Sequence, residues 1–225
     1  MAQIAHSENH LSYWRTDPLY TLSEAAHLAH VSSGTVRNWL LGRDGQPPLF
    51  TEPQTPMVSF LQLIEIIVAA NFRKAERVSY GCVQRAHSNA RTILDLEYPF
   101  AQQTLEAIGG HIVRRMHEDG PDISLQAMDE STQWTMPGLV VGIIDQIHYE
   151  LDLAAQWYPA GKSLPIVVDP RISSGVPTKV GRGVTIQVIH KRFRSGQRMD
   201  FIANDFELEP SVIEEAVRYA EQIAA

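Results

Sequence analysis

The stretch YTLSEAAHLAHVSSGTVRNWL, residues 20–40, ends in two neighbouring side chains able to read the edge of a base pair. Arg37 can make two hydrogen bonds to guanine, and Asn38 two to adenine. Ser33 and Thr35 carry hydroxyls of the kind that bind phosphate oxygens. Such chemistry requires a helix that holds these groups outward, so the flanking residues must be asked whether they can build one. Thr21 with Glu24 three residues on is a capping-box pattern, which predicts a helix from about Leu22. Ser32 is a good N-cap for a second helix, from about Ser33 to Leu40. With Leu22 as its first position, a helix-turn-helix wants a small residue at the fifth, where Ala26 stands. Ala25, Ala29, Val31, Val36 and Trp39 fill the positions that must be apolar. The turn position that usually holds glycine is His30. This register leaves Ser33, Gly34, Thr35, Arg37 and Asn38 exposed. The alternative is a plain helical hairpin with a solvated polar face.

Gly42, Gly45, Pro47 and Pro48 end the second helix, and LFTEPQTPMVSF has the composition of a short ribbon or wing. A helix then runs from Ser59 through FLQLIEIIVAANFR. It is apolar almost all round, as a central core helix or a dimer interface would be. Helical periodicity continues from Ala75 to Leu96, with Val78, Cys82, Ala86, Ile93 and Leu94 on one side. Residues 20–95 resemble the DNA-binding domain of the MerR family, a winged helix-turn-helix with supporting helices. That resemblance implies that Arg43, in the wing, touches backbone phosphate. The first unit is placed at residues 1–98.

Residues 99–164 form the second unit, a small α+β element for contacts between proteins. Its signals are a short helix over 100–108, strands in HIVRRM and ISLQAM, and an apolar run over 138–144 of either type. IHYELDLAAQWYP reads as a strand pair or one bent strand. His111, His117, Asp119 and Asp122 cluster here but lack the spacing of a metal site, so no metal is expected. No G-x-S-x-G, H-E-x-x-H, P-loop or dinucleotide fingerprint occurs, and neither an enzyme nor a cofactor is expected. Cys82 stands alone, so no internal disulfide can form. With no basic patch followed by an apolar stretch at the start, and no run long enough to span a bilayer, the expected location is the cytoplasm.

The net charge of −7 argues only weakly against a nucleic-acid partner, because it is unevenly placed. Lys and Arg balance Asp and Glu, 8 against 8, in both 1–95 and 165–225, while 96–164 holds 3 against 10. From Pro170 to Met199 there are seven basic residues and no acid. Phosphates feel local charge, since screening cuts the interaction off beyond roughly 8–10 Å.

Residues 165–225 form the third unit. Ile186, Ile189, His190 and Phe193 recur at helical spacing, as do Met199, Ile202, Ala203 and Phe206, and then Ile213, Ala216, Val217 and Ala220. Gly196 breaks the first helix from the second, and Pro210 opens the third. Three helices sharing an apolar face make a trihelical, helix-turn-helix-like unit. The run DPRISSGVPTKVGRGVTIQVI, followed by SGQRMDFIANDF and EEAVRYA, resembles domain-of-unknown-function family 433. Asp169, Pro170, Gly175, Pro177, Gly181 and Ala216 all fall in place. The departure is Arg198 and Met199, where the family has an acidic or serine start to the second helix.

A MerR-like head joined to this tail is similar to a long VapB antitoxin. That resemblance implies a type II antitoxin that binds operator DNA as a homodimer and neutralises a PIN-like ribonuclease toxin. The basic arm would then lie along phosphates or cover the acidic site of the toxin. Lys191, Arg192 and Arg194 are candidates for DNA, and Arg171, Lys179 and Arg182 for the partner. The alternative is a stand-alone MerR-like transcriptional regulator. The expected fold is mainly α, and α+β overall.

Overall fold

Capping and burial together decide where the chain turns. In the computed structural model, which describes residues 13–43, 45, 47–50, 55–74, 79–93, 95–103 and 138–224, helix α1 (Tyr13–Thr16) leads into β1 (Tyr20–Thr21), α2 (Leu22–Leu28) and α3 (Ser33–Leu41). Next come β2 (Met57–Val58), α4 (Phe60–Lys74), α5 (Tyr80–Ile93) and a 3-10 turn at Pro99–Ala101. Then follow α6 (Gly138–Asp145), β3 (Ile147–Glu150), β4 (Leu153–Trp157) and β5 (Ile166–Val167). A 3-10 turn at Ser173–Gly175, β6 (Thr178–Lys179), α7 (Ile186–Arg194), α8 (Met199–Asp205) and α9 (Pro210–Ala224) complete the order. The architecture is mixed α+β, with small two-stranded antiparallel sheets. The expected strands in HIVRRM and ISLQAM, the end of the helix over 100–108 and the cluster at His111 lie outside the described residues. No helix among the described residues is long and apolar enough to cross a membrane.

The centre is α4. It is buried along most of its length and packs against α1, α2, α5, α6 and β4. Its apolar faces are therefore covered by the chain itself. Glu65 is buried on this helix, and its carboxylate meets Nε2 of buried His87 on α5 at 2.8 Å. Pairing is what makes such burial tolerable.

Of the ribbon expected from residues 49–60, positions 49, 50 and 55–60 are described, and Met57–Val58 is a strand. Leu49 and Phe50 are buried, and their N–H groups donate to the Trp39 carbonyl at 2.7 and 3.2 Å. Met57–Val58 pairs with Tyr20–Thr21, in the register Tyr20 to Val58. IHYELDLAAQWYP is a strand pair, and 138–144 is helical.

One apolar cluster takes in Tyr20, Trp39, Phe60, Phe100, Ile147 and Trp157, so the described part of 99–164 shares the core of the preceding helices. A second cluster, around Ile166, Ile189, Ile202, Ile213 and Val217, holds α7, α8 and α9 together. These three helices fall where the periodicity places them. Arg198, at the start of α8, makes no side-chain cap. Asp200 serves that helix end instead, accepting from the Phe201 N–H at 2.9 Å and from Arg198 at 2.7 Å.

Polar contacts hold residues 168–171 against β3, β4 and α1. Trp157 and Val168 exchange backbone hydrogen bonds of 3.0 and 2.8 Å. Arg171 donates to Asp169 at 2.9 Å and to Glu150 at 3.2 Å, and Arg15 donates to the Glu150 carbonyl at 3.1 Å. Both guanidiniums lie over the Trp14 ring, 4.4 and 4.6 Å from its centroid. Burial by itself would raise the Asp169 pKa, but hydrogen bonds from Arg171 and Gln156 outweigh it and hold the carboxyl below the ordinary range. A depressed pKa stabilises the fold fully above the unfolded-state value of about 3.9, and the effect is lost as pH falls through the lowered value. Asp169→Asn should therefore melt earlier than wild type at neutral pH, with the gap closing in acid. A gap independent of pH in thermal melts would contradict this.

Candidate nucleic-acid interface

The α2–α3 pair is built by its caps. Thr21 Oγ1 accepts from the Glu24 N–H at 3.2 Å, while Glu24 Oε2 accepts from the Thr21 N–H at 2.8 Å. At its other end α2 closes without glycine. His30 takes φ 52°, its N–H donates to the His27 carbonyl, and the Val31 N–H reaches the Ala26 carbonyl at 2.9 Å. These two bonds are those of a Schellman motif. The Lys74 ammonium donates to the His30 carbonyl. Burial, then Lys74 and His27, hold the His30 imidazole below its ordinary pKa, so it adds no charge to this surface near neutral pH.

Ser32 Oγ caps α3 by accepting from the Thr35 N–H at 3.0 Å. Val36, Trp39 and Leu40 are buried beneath the helix, and Trp39 meets Phe50 edge-on at 6.3 Å. Phe50 in turn lies edge-on to His87, and His87 to Phe100, carrying the anchor across to the Pro99–Ala101 turn. The opposite side of α3 presents Ser33, Gly34, Arg37 and Leu41 to solvent, with Thr35 and Asn38 half-buried beside them. Residues at i, i+4 and i+8 share a helix face, so Ser33, Arg37 and Leu41 form one ridge. Arg37 has no ion pair or hydrogen bond to another described residue. Thr35 Oγ1 lies 2.8 Å from Ser32 Oγ and is partly engaged in the cap. Arg43 is exposed beyond Gly42, just past the end of α3.

The candidate basic residues of the tail divide into two groups. Lys191 and Arg194 are exposed on α7 and have no partner among the described residues. Arg192 instead pairs with Asp205, donates to Gln197 at 2.6 Å and lies over Phe206 at 4.9 Å. Arg182 meets Glu207 at 2.9 Å, Arg171 is bound to Asp169 and Glu150, and Lys179 sits half-buried in β6. Along α9 the exposed charges include Glu214 and Glu221, and Arg218 is paired to Glu214 at 3.1 Å. That face would repel phosphate, whereas Arg37 on α3 and Lys191 and Arg194 at the end of α7 would attract it.

Gly34 is exposed beside these residues, as the helical register predicts, but its residue type assigns it no contact. A Cβ there would meet only Ser32 Oγ, at 3.7 Å, which is ordinary contact. Neither packing nor a left-handed backbone requires glycine at this exposed position in the first turn of α3.

Comparison with known proteins bears on the tail and on the whole chain. Residues 166–220 match the family described as "Protein of unknown function (DUF433)", a range that coincides with the second apolar cluster. Over nearly the full length, the chain is 26% identical to the uncharacterized protein Rv2308 of Mycobacterium tuberculosis, covering 91% of this chain and 90% of that one. It is 25% identical to a candidate antitoxin of the same organism, VapB45, over 89% of this chain and 92% of the relative. The crystal structure of Rv2018 from Mycobacterium tuberculosis shares the fold, with a TM-score of 0.72 at 24% identity over 90% of this chain and 99% of that one.

Proposed function

We propose that the chain is an antitoxin-type regulator that binds duplex DNA through α3 and holds a toxin as its protein partner. On this reading α2 and α3 are a helix-turn-helix of MerR-like type, and no catalytic step is involved. The observation that carries it is the outer side of α3, where Ser33, Gly34 and Arg37 are uncovered on a helix whose other side is fixed by Val36, Trp39 and Leu40. A short helix reads one half-site in the major groove, so the reading calls for a homodimer on paired half-sites. Arg37 and Asn38 meet base edges, while Ser33, Thr35, Arg43, Lys191 and Arg194 meet phosphates. The likeness to VapB45 supports a toxin partner, and PIN-like ribonucleases are the class that the antitoxin resemblance implies.

Fluorescence anisotropy with a duplex taken from upstream of the chain's own reading frame tests this. Arg37→Ala should weaken binding by roughly 1–3 kcal/mol with the melting temperature unchanged, and added salt should weaken the wild type steeply. Equal affinity of the variant would remove Arg37 from the interface. Gly34→Ala should leave stability unchanged or raise it, by less than the roughly 1 kcal/mol of a helix-interior site, while lowering DNA affinity, because the added methyl stands where the groove wall must approach. A gain in both would show that Gly34 faces nothing.

A stand-alone transcriptional regulator is the second reading. What favours it is that Arg171 and Arg182, two of the candidate partner contacts, are already paired within the chain. Co-purification with the product of the adjacent reading frame separates the two readings: a stable complex favours the antitoxin.

A further inference from the structure

Between α2 and the trihelical tail lies a cleft of about 310 Å³. Its walls belong to different apolar clusters. Leu28 comes from the first, while Ile186, Ala220 and Ile223 come from the second, with Pro177 beside them. This volume is at the lower end of small-molecule sites, which are typically apolar with a few placed polar groups. Glu24, His27, Gln187 and His190 supply those groups.

Two of them have an atom without a hydrogen bond from a described residue, one on exposed Glu24 and one buried on His190. Glu24 Oε2 accepts from both the Thr21 N–H and the Thr21 hydroxyl, and Oε1 has no hydrogen bond from a described residue. Nε2 of His190 is buried without any partner. A buried polar atom left unpaired in a folded protein calls for a ligand or a water to complete it. The charge of the cleft is one-sided: Glu24 lines it and no Lys or Arg does. A carboxylate or phosphate entering here would meet an acid with no cation to balance it.

We propose that this cleft is a binding site for a compact primary amine with an aromatic or branched aliphatic body. The ammonium is drawn to Glu24, and His190 Nε2 offers an unpaired acceptor in the same cleft. The body lies against Leu28, Ile186 and Ala220. Occupancy joins α2 to the tail and so stabilises the folded chain. The proposal does not rest on the DNA-binding reading, since a chain that bound no duplex would still bind the amine.

Three probes with the same apolar body test the chemistry: 2-phenylethylamine, 2-phenylethanol and phenylacetate, titrated into the full-length chain by calorimetry. The amine should bind saturably at one site, at least tenfold more tightly than the alcohol, and raise the melting temperature, while phenylacetate should not bind. In proton–carbon spectra the His190 imidazole signal should shift with the amine. Glu24→Gln keeps the capping box, which accepts either residue, and should abolish the advantage of the amine over the alcohol. Gln187→Trp, an exposed change at the rim, should block all three probes. Equal binding of the three, no binding of any, or amine binding unchanged in Glu24→Gln would each overturn the proposal.

Discussion

Trp39→Ala should destabilise the protein by about 3–5 kcal/mol, the range for deleting a large aromatic side chain from a core. Trp39 is 5% exposed, and its ring packs edge-on against Phe50. Its carbonyl holds the chain beyond α3 through the Leu49 and Phe50 N–H groups. Loss of the ring empties the space beneath α3 and removes one end of the aromatic series that runs through Phe50 and His87 to Phe100. Against a typical total stability of 5–15 kcal/mol this is a large fraction. The helix that carries Arg37 would lose its seat, so DNA binding should fall as well, unlike the local effect of Arg37→Ala. Urea unfolding measures the change. A shift below about 1 kcal/mol would mean that α3 is not anchored through this ring.

The second large effect is expected at Gly175, where the tail meets the head. The Tyr20 hydroxyl donates to the Gly175 carbonyl at 3.0 Å, in a buried contact. Gly175 has φ 69°, and a Cβ built on it would stand 2.2 Å from Tyr20 Oη and 2.8 Å from Leu19 Cδ2. Alanine there must adopt a backbone conformation that side chains disfavour and must also displace the tyrosine from its bond. Together these should cost about 3 kcal/mol. Tyr20→Phe removes only the hydrogen bond and should cost about 1 kcal/mol. The double variant should cost less than the sum, because the missing hydroxyl relieves the closest clash. Strict additivity in urea melts would place the Tyr20 hydroxyl elsewhere.

What the sequence disclosed was local. Thr21 with Glu24, and Ser32 ahead of α3, are caps whose partners lie three residues away, so their types and spacing sufficed. The three tail helices likewise follow from apolar spacing within each segment. Pairings between distant residues were not legible. Met57–Val58 pairs with Tyr20–Thr21 because Leu49 and Phe50 are drawn back onto Trp39, and nothing within LFTEPQTPMVSF says so. The all-round apolarity of α4 implied burial without naming what covers it.

Charge misled in the same way. The run from Pro170 to Met199 contains no acid, which suggested arginines turned outward. Yet Glu150, Asp205 and Glu207 reach Arg171, Arg192 and Arg182 from outside the run. Counting charge along a segment cannot see acids supplied from other parts of the fold. At His30 the turn was legible but the expected residue was not, because the two bonds of the helix end hold a left-handed backbone even without glycine.

DNA binding requires α3 to offer its outer ridge to a duplex, and selection from a pool of random double-stranded sequences tests that most directly. The full-length chain should enrich a defined motif, and the pool retained by Arg37→Ala should relax at one base pair within it while the others persist. A wild-type pool indistinguishable from the input would contradict the reading.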